Sequence, residues 1–310
     1  MFENRTLNKK NITHIIYCLL NRIPILVMGS KSDDLDVDFI LEELSYLIHY
    51  RQELVFNTDF IHKTEYESLI ENEFHDNNSK RIQIRCPSDS SFKALTEFDN
   101  FKSWLIGFKI NKKNSYEEYL KKFRKKFKKY LLIKLVNDMF IIECHKIDIK
   151  KESLKLEEAI INKISKKTEK SVTGMKRVLT EKIRLENSKL LEKDFIKDAF
   201  DFSIEEKVLK KNIFRSEIQN FYAASKRAFF ILFKLKLLSR LLNNFETKKD
   251  NKHMVIGNQT LLNTIDYYEA PVNRILSFIR NEWGEDFRDY VKNGKKNNIG
   301  DIIIGNAGGL

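Results

Sequence analysis

Apolar and polar positions follow two different rhythms along this chain, and the change falls near residue 148. Before it, short apolar runs alternate with segments of helical period. Arg22-Ile-Pro-Ile-Leu-Val-Met-Gly29 predicts a buried strand ending in a glycine turn, and a helix follows with Phe39, Ile40, Leu44, Leu47 and Ile48 on one face. Glu53–Asn57 predicts a second strand, and Thr64-Glu-Tyr-Glu67 has the form of a capping box at or inside the next helix. Arg81-Ile-Gln-Ile-Arg-Cys86 alternates polar and apolar residues, the pattern of a half-exposed third strand. A short helix from about Ser90 leads to Ser103–Ile110, the fourth strand. Ser115-Tyr-Glu-Glu118 is a second capping box and opens another helix. Met139–His145 reads as the fifth strand; alternatively, Leu131–Val136 is also a strand and pairs with Met139–Ile147 as a hairpin.

Strands separated by helices imply a three-layer α/β domain of Rossmann-like type over 1–148, with a mostly parallel five-stranded sheet and right-handed crossovers. Beyond it, strand-like runs vanish and apolar positions recur at three and four: Leu154, Ile160, Ile161, Ile164, then Val172, Met175, Val178, Leu179, Ile183. This predicts a mainly α-helical C-terminal region over 149–310. Its long helices span 152–200 and 203–245, the second capped by Ser203-Ile-Glu-Glu206, and its terminal helical segment spans 260–310, including a helix over Val272–Tyr290.

Composition supports long uninterrupted helices, since 310 residues hold only 10 Gly and 3 Pro. Cys18, Cys86 and Cys144 are widely spaced in apolar runs, which predicts buried free thiols in a reducing compartment rather than a disulfide framework. The apolar runs near the N-terminus and around Ala228–Leu242 are too short or too interrupted by Lys and Arg for a transmembrane segment, so a soluble, cytoplasmic protein is expected.

Charge is sorted by region. Residues 1–111 carry 13 Lys and Arg against 17 Asp and Glu, whereas 112–134 carry 10 against 2. Basic residues also lead by 14 to 10 over 149–202 and by 11 to 5 over 203–250. Seven cations occupy nine positions in the helix after Ser115: Lys121, Lys122, Arg124, Lys125, Lys126, Lys128 and Lys129. Tyr116, Leu120, Phe123, Phe127, Tyr130 and Leu131 form its apolar stripe. Packing on the sheet explains that stripe, but seven mutually repelling cations are relieved best by a polyanion. Lys226 and Arg227, among aromatic residues farther on, extend the predicted phosphate-contacting set. An anionic lipid surface competes for the same helices.

Two loops at the sheet edge are the other candidates for chemistry. The first follows the first strand, Val27-Met-Gly-Ser-Lys-Ser-Asp-Asp34, where anions commonly meet a helix N-terminus; Gly29, Ser30, Ser32 and Asp33 are its candidate ligand-binding residues. The string Met28-Gly-Ser-Lys-Ser-Asp-Asp34 resembles the first-strand loop of the small mutases that shift a carboxyl group on carboxyaminoimidazole ribonucleotide, a loop that helps bind their substrate. The resemblance covers seven residues, and that family's later Ser-Ala-His-Arg segment has no counterpart here. The second loop is Cys86-Pro-Ser-Asp-Ser-Ser91, where Ser88, Ser90 or Ser91 would cap the next helix or meet a ligand beside the first loop. P-loop and dinucleotide fingerprints are missing, and no His or Cys is placed by sequence to activate a serine. Glu143-Cys-His145 lacks the lysine that a metal-dependent nuclease strand carries two residues on, and His62, Glu65, Glu67 and His75 lack ligand spacing.

The leading expectation is a non-catalytic, nucleic-acid-associated or regulatory binding protein whose basic helices contact the phosphate backbone. The alternatives are a nucleotide or small-molecule switch or enzyme using the sheet-edge loops, with the cofactor unknown, and a helical adaptor for a protein partner or for self-association.

Overall fold

The computed structural model describes residues 9–30, 36–56, 63–72, 80–99, 101–110, 116–136, 139–149, 154–185, 191–245 and 254–292. Helix α1 (Lys9–Leu20) precedes strand β1 (Ile25–Ser30), after which strands and helices alternate: α2 (Val37–Tyr46), β2 (Gln52–Val55), α3 (Lys63–Asn72), β3 (Ile82–Cys86), α4 (Ser88–Glu97), β4 (Leu105–Ile110) and α5 (Tyr116–Lys126). The hairpin β5 (Tyr130–Val136) and β6 (Met139–His145) completes a six-stranded sheet of order β2-β3-β4-β1-β5-β6. All neighbours are parallel except β5 and β6. The sheet therefore has six strands rather than five, because Leu131–Val136 pairs with Met139–His145 as the hairpin alternative required.

β1 and β4 are buried over most of their length, as expected of strands covered on both faces. β3 differs from its reading as half-exposed. Its Gln83 is buried and accepts a hydrogen bond from Arg51 Nη1 at 3.0 Å, so the alternation records a buried polar group and not a solvent face. On α2 the buried residues are Val37, Ile40, Leu41, Leu44 and Ser45, while Phe39 turns outward.

Each face of the sheet has its own core. Leu26, Met28, Ile84, Ile106, Phe108 and Leu132 pack against Tyr66 of α3, Ala94 and Leu95 of α4, and Tyr119, Leu120 and Phe123 of α5. Ile25, Val27, Leu105, Leu131 and Ile133 pack on the other face against α1 and α2. The crossover from β1 runs toward β2 at one edge, whereas those from β2, β3 and β4 run the opposite way. A single crossover hand then puts α2 on one face and α3, α4 and α5 on the other.

The C-terminal helices join the α2 face. α6 (Lys155–Leu185) and α7 (Leu191–Phe245) pack together, and α8 (Asn258–Ile265) and α9 (Val272–Trp283) follow; β7 (Ile256–Gly257) pairs with β8 (Val291–Lys292), which a 3-10 turn at Arg288–Tyr290 precedes. Leu156, Ile160, Phe221, Phe229, Ile275, Phe278 and Trp283 share one core with β1 and α2. α7 runs unbroken through Ser203, which is therefore inside a helix rather than at its cap. α9 ends at Trp283 with Gly284 in the left-handed conformation at φ 73°, short of the expected Tyr290.

Two buried charges fasten α9. Glu282 accepts from Arg51 Nη2 at 2.6 Å and from Arg22 Nε at 3.3 Å, below the sheet. Arg274 Nη2 donates to Glu157 of α6 at 2.5 Å, and its Nη1 donates to Asn21 at 3.0 Å. Ion pairs across α6 and α7 (Lys167–Glu217) and across α7 and α2 (Lys211–Glu43, 3.0 Å) add further ties.

Candidate functional site

α5 carries the densest charge, and its structure divides the seven cations by role. Tyr119, Leu120, Phe123 and Phe127 are buried, with Tyr119 stacked on Phe108 at a centroid distance of 3.7 Å. Tyr130 and Leu131 belong to β5 and face opposite sides of the sheet, so the predicted stripe ends at Phe127; the side chain of Tyr116 lies outside the described residues. Lys122 pairs with Glu118 at 3.1 Å and lies over the ring of Phe92 at 4.3 Å. Lys126 donates to the carbonyl of Phe98, the residue that ends α4, and burial lowers its pKa against the opposing pull of Asp99. Arg124 Nε donates to the Tyr130 hydroxyl at 3.2 Å.

Lys121, Lys125, Lys128 and Lys129 remain. All four are exposed, and among the described residues no carboxylate pairs with them. Glu117 and Glu118 stand in the first turn while Arg124, Lys125 and Lys126 stand in the last, so the helix dipole supports both groups. The dipole accounts for cations at 124–126 but not for Lys121 or for Lys128 and Lys129 beyond the helix end. The predicted partners on α7 are placed elsewhere. That helix packs on the opposite face of the sheet, and Arg227 Nε donates to the Ile265 carbonyl at 3.2 Å, capping α8. Lys226 lies over Phe230 at 5.9 Å. α5 and the Lys226–Arg227 pair do not form a single patch.

The sheet-edge candidates lie at the carboxyl ends of β1 and β3, with β4 between them. β1 and β4 are neighbours whose crossovers leave toward opposite edges, the place where open α/β sheets bind ligands. Gly29 is buried and Ser30 half-buried at the end of β1; Ser32 and Asp33 lie outside the described residues. Ser88 is the first residue of α4 rather than its cap, and Ser90 lies in its first turn, with its backbone N–H on the Pro87 carbonyl at 3.2 Å.

The group that links these elements is Asp38, in the acidic run after the first loop, where Asp33, Asp34, Asp36 and Asp38 oppose a phosphate and favour helix capping. Its Oδ1 accepts from the Ser88 backbone N–H at 2.8 Å, and its Oδ2 from the Ser88 hydroxyl at 2.6 Å and from Lys109 Nζ at 3.1 Å. Lys109 also donates to Asp36, 3.0 Å away, and Asp36 caps α2 by accepting from the Asp38 N–H at 3.0 Å. Burial raises the Asp36 pKa, but the bonds from Lys109 and the Asp38 backbone outweigh it and hold the carboxyl below its ordinary value. Burial likewise lowers that of Lys109, and its two carboxylate partners raise it further than burial lowers it.

Gly107 of β4 permits this arrangement. A Cβ there would stand 2.9 Å from Leu41 Cδ1, 3.0 Å from the Ser88 nitrogen and 3.1 Å from Asp38 Oδ1. A glycine inside a buried strand is the one signal in the sequence that two backbones approach closely here. Chemically, the two helix N-termini that could have met a phosphate hold the chain's own carboxylates.

Of the thiols, Cys18 and Cys86 are buried, and burial raises the pKa of each. Cys144 is exposed instead, 3.6 Å from His14 Nδ1. Glu143 pairs with Lys134 of β5 at 2.6 Å and with His145 at 3.3 Å. Among the described residues no group of three or more His, Cys, Asp or Glu side chains is placed to hold a metal ion, and no helix is long and apolar enough to cross a membrane. Comparison with protein-family models, with curated proteins and with solved structures finds no match to this chain.

Proposed function

We propose that the protein binds a polyanion, a nucleic acid first of all, through α5 and the turn after it. The observation that carries this reading is the set Lys121, Lys125, Lys128 and Lys129, exposed and without a carboxylate partner among the described residues. The α/β sheet serves as their scaffold, since the buried face of the helix is anchored by Tyr119, Leu120 and Phe123. Contacts of lysine ammonium groups go to phosphates, so binding is strongly salt-dependent and weakly selective for sequence. The sheet edge supports the alternative of a ligand switch less well, because Asp38 takes the N-terminus of α4 that a phosphate would need.

The test is fluorescence anisotropy with labelled single-stranded RNA, single-stranded DNA and duplex DNA, comparing the wild type with the variant in which Lys121, Lys125, Lys128 and Lys129 become Gln. The variant is expected to lose roughly tenfold or more in affinity at moderate salt, and its salt slope to flatten in proportion to the phosphate contacts removed. Equal binding by both proteins would contradict the assignment to α5.

A further inference from the structure

The last turns of α7 present an apolar surface on both sides. Ala228, Phe229, Leu232 and Leu235 face the interior, where Phe229 meets Trp283 at 5.2 Å and Phe287 at 5.8 Å. Outward stand Phe230, Leu237, Leu238, Leu241 and Leu242, with Leu241 54% exposed. A helix on the surface of a globular protein normally turns polar side chains outward, and one that is apolar all round is covered on all sides. These five side chains extend over about 18 Å of helix.

The charge around them is of one sign. From Ile218 to Phe245 the sequence has five basic residues, Lys226, Arg227, Lys234, Lys236 and Arg240, and no acidic one. Arg227 is engaged with the Ile265 carbonyl and Lys236 with Glu285, which leaves Lys226, Lys234 and Arg240 beside the apolar residues. Lys234 is exposed in the middle of the stripe, four residues after Phe230 and three before Leu237.

We infer that this face of α7 docks on an anionic lipid surface, lying in the plane of the interface without crossing it. Five exposed Phe and Leu side chains enter the boundary between headgroups and acyl chains, while Lys226, Lys234 and Arg240 extend to lipid phosphates. A second copy of the chain fits less well, because an isologous pairing brings together two surfaces of the same sign with a lysine inside each seam. An acidic partner helix would match the charge as well, and in that case the wild type would not float with anionic vesicles. The site is on the opposite face of the sheet from α5 and does not depend on the role proposed for that helix.

Vesicle flotation of the full chain tests this, with vesicles of phosphatidylcholine alone and of phosphatidylcholine mixed with phosphatidylserine. The wild type is expected to float with the anionic vesicles and not with the neutral ones. The double change Leu237→Ser with Leu241→Ser, and separately Lys234→Glu with Arg240→Glu, each reduce that binding roughly tenfold or more. Changing Lys121, Lys125, Lys128 and Lys129 to Gln leaves it within about threefold, because those residues lie across the sheet. Circular dichroism confirms that the exposed substitutions keep the fold. Absence of wild-type flotation, equal flotation with neutral vesicles, or a dimer in sedimentation that the leucine changes dissociate without any vesicle binding would overturn the inference.

Discussion

Glu157 and Glu282 show how one residue type behaves oppositely in two buried settings. Both carboxylates are inaccessible to solvent and bonded to arginine. Burial raises the Glu282 pKa, but Arg51 and Arg22 together outweigh it and hold the group below its ordinary value. Burial also raises Glu157, and there the single Arg274 does not compensate. Because the native pKa of Glu282 lies below its ordinary 4.5, its contribution to stability is present above that pH and is lost as pH falls through the native value. The Glu282→Gln variant is expected to lose about 3–5 kcal/mol near neutral pH, since two arginines stay buried without their counter-charge. Glu157→Gln is expected to cost less than half as much. Urea unfolding of the two variants at neutral pH measures this directly, and equal costs would contradict the difference assigned to their surroundings. Gly107 permits a second prediction at this scale. Gly107→Ala forces α2 from the N-terminus of α4 and costs about 1–3 kcal/mol, read as a lower urea midpoint with an unchanged slope.

Among the elements, β1 was legible because Pro24 and Gly29 bracket a continuous apolar run, the mark of a buried strand. β5 carries no such mark, since only Phe127–Lys129 separates α5 from it and neither Gly nor Pro signals the change. Ser203-Ile-Glu-Glu206 reads as a capping box, yet good helix formers on both sides carry α7 through it. The basic helix was visible in the sequence, but the division of its cations was not: Lys126 and Arg124 find their acceptors on Phe98 and Tyr130 only after α4, α5 and β5 are assembled. The contact between Asp38 and Ser88 spans 50 residues and depends on Gly107, so no local pattern announces it. At this scale, removing the carboxylate with Asp38→Ala removes an acceptor from the start of α4 and a partner of Lys109. The expected loss is about 1–2 kcal/mol in urea unfolding, near the upper range of a lost helix cap. A stability unchanged from the wild type would show that the contact contributes nothing.

For the whole molecule, the change of rhythm near residue 148 marks a change of element type, while one hydrophobic core runs from the sheet into α6, α7 and α9. α9 makes this continuity specific, with Glu282 reaching Arg51 across 231 positions and Arg274 reaching Glu157 across 117. Those pairs could not be read from the sequence, where Arg51, Glu157, Arg274 and Glu282 look like ordinary surface charges. The same assembly separates the two basic surfaces, α5 on one face of the sheet and the end of α7 on the other. Nucleic-acid binding and anionic-lipid binding are therefore expected to be lost by different substitutions. Polyanion binding by α5 is tested by anisotropy of a labelled single-stranded RNA across a salt series. The prediction is tight binding at low salt, a steep loss as salt rises, and a flatter and weaker curve when Lys121, Lys125, Lys128 and Lys129 are replaced by Gln. No binding at about 100 mM salt, or identical curves for the two proteins, would contradict it.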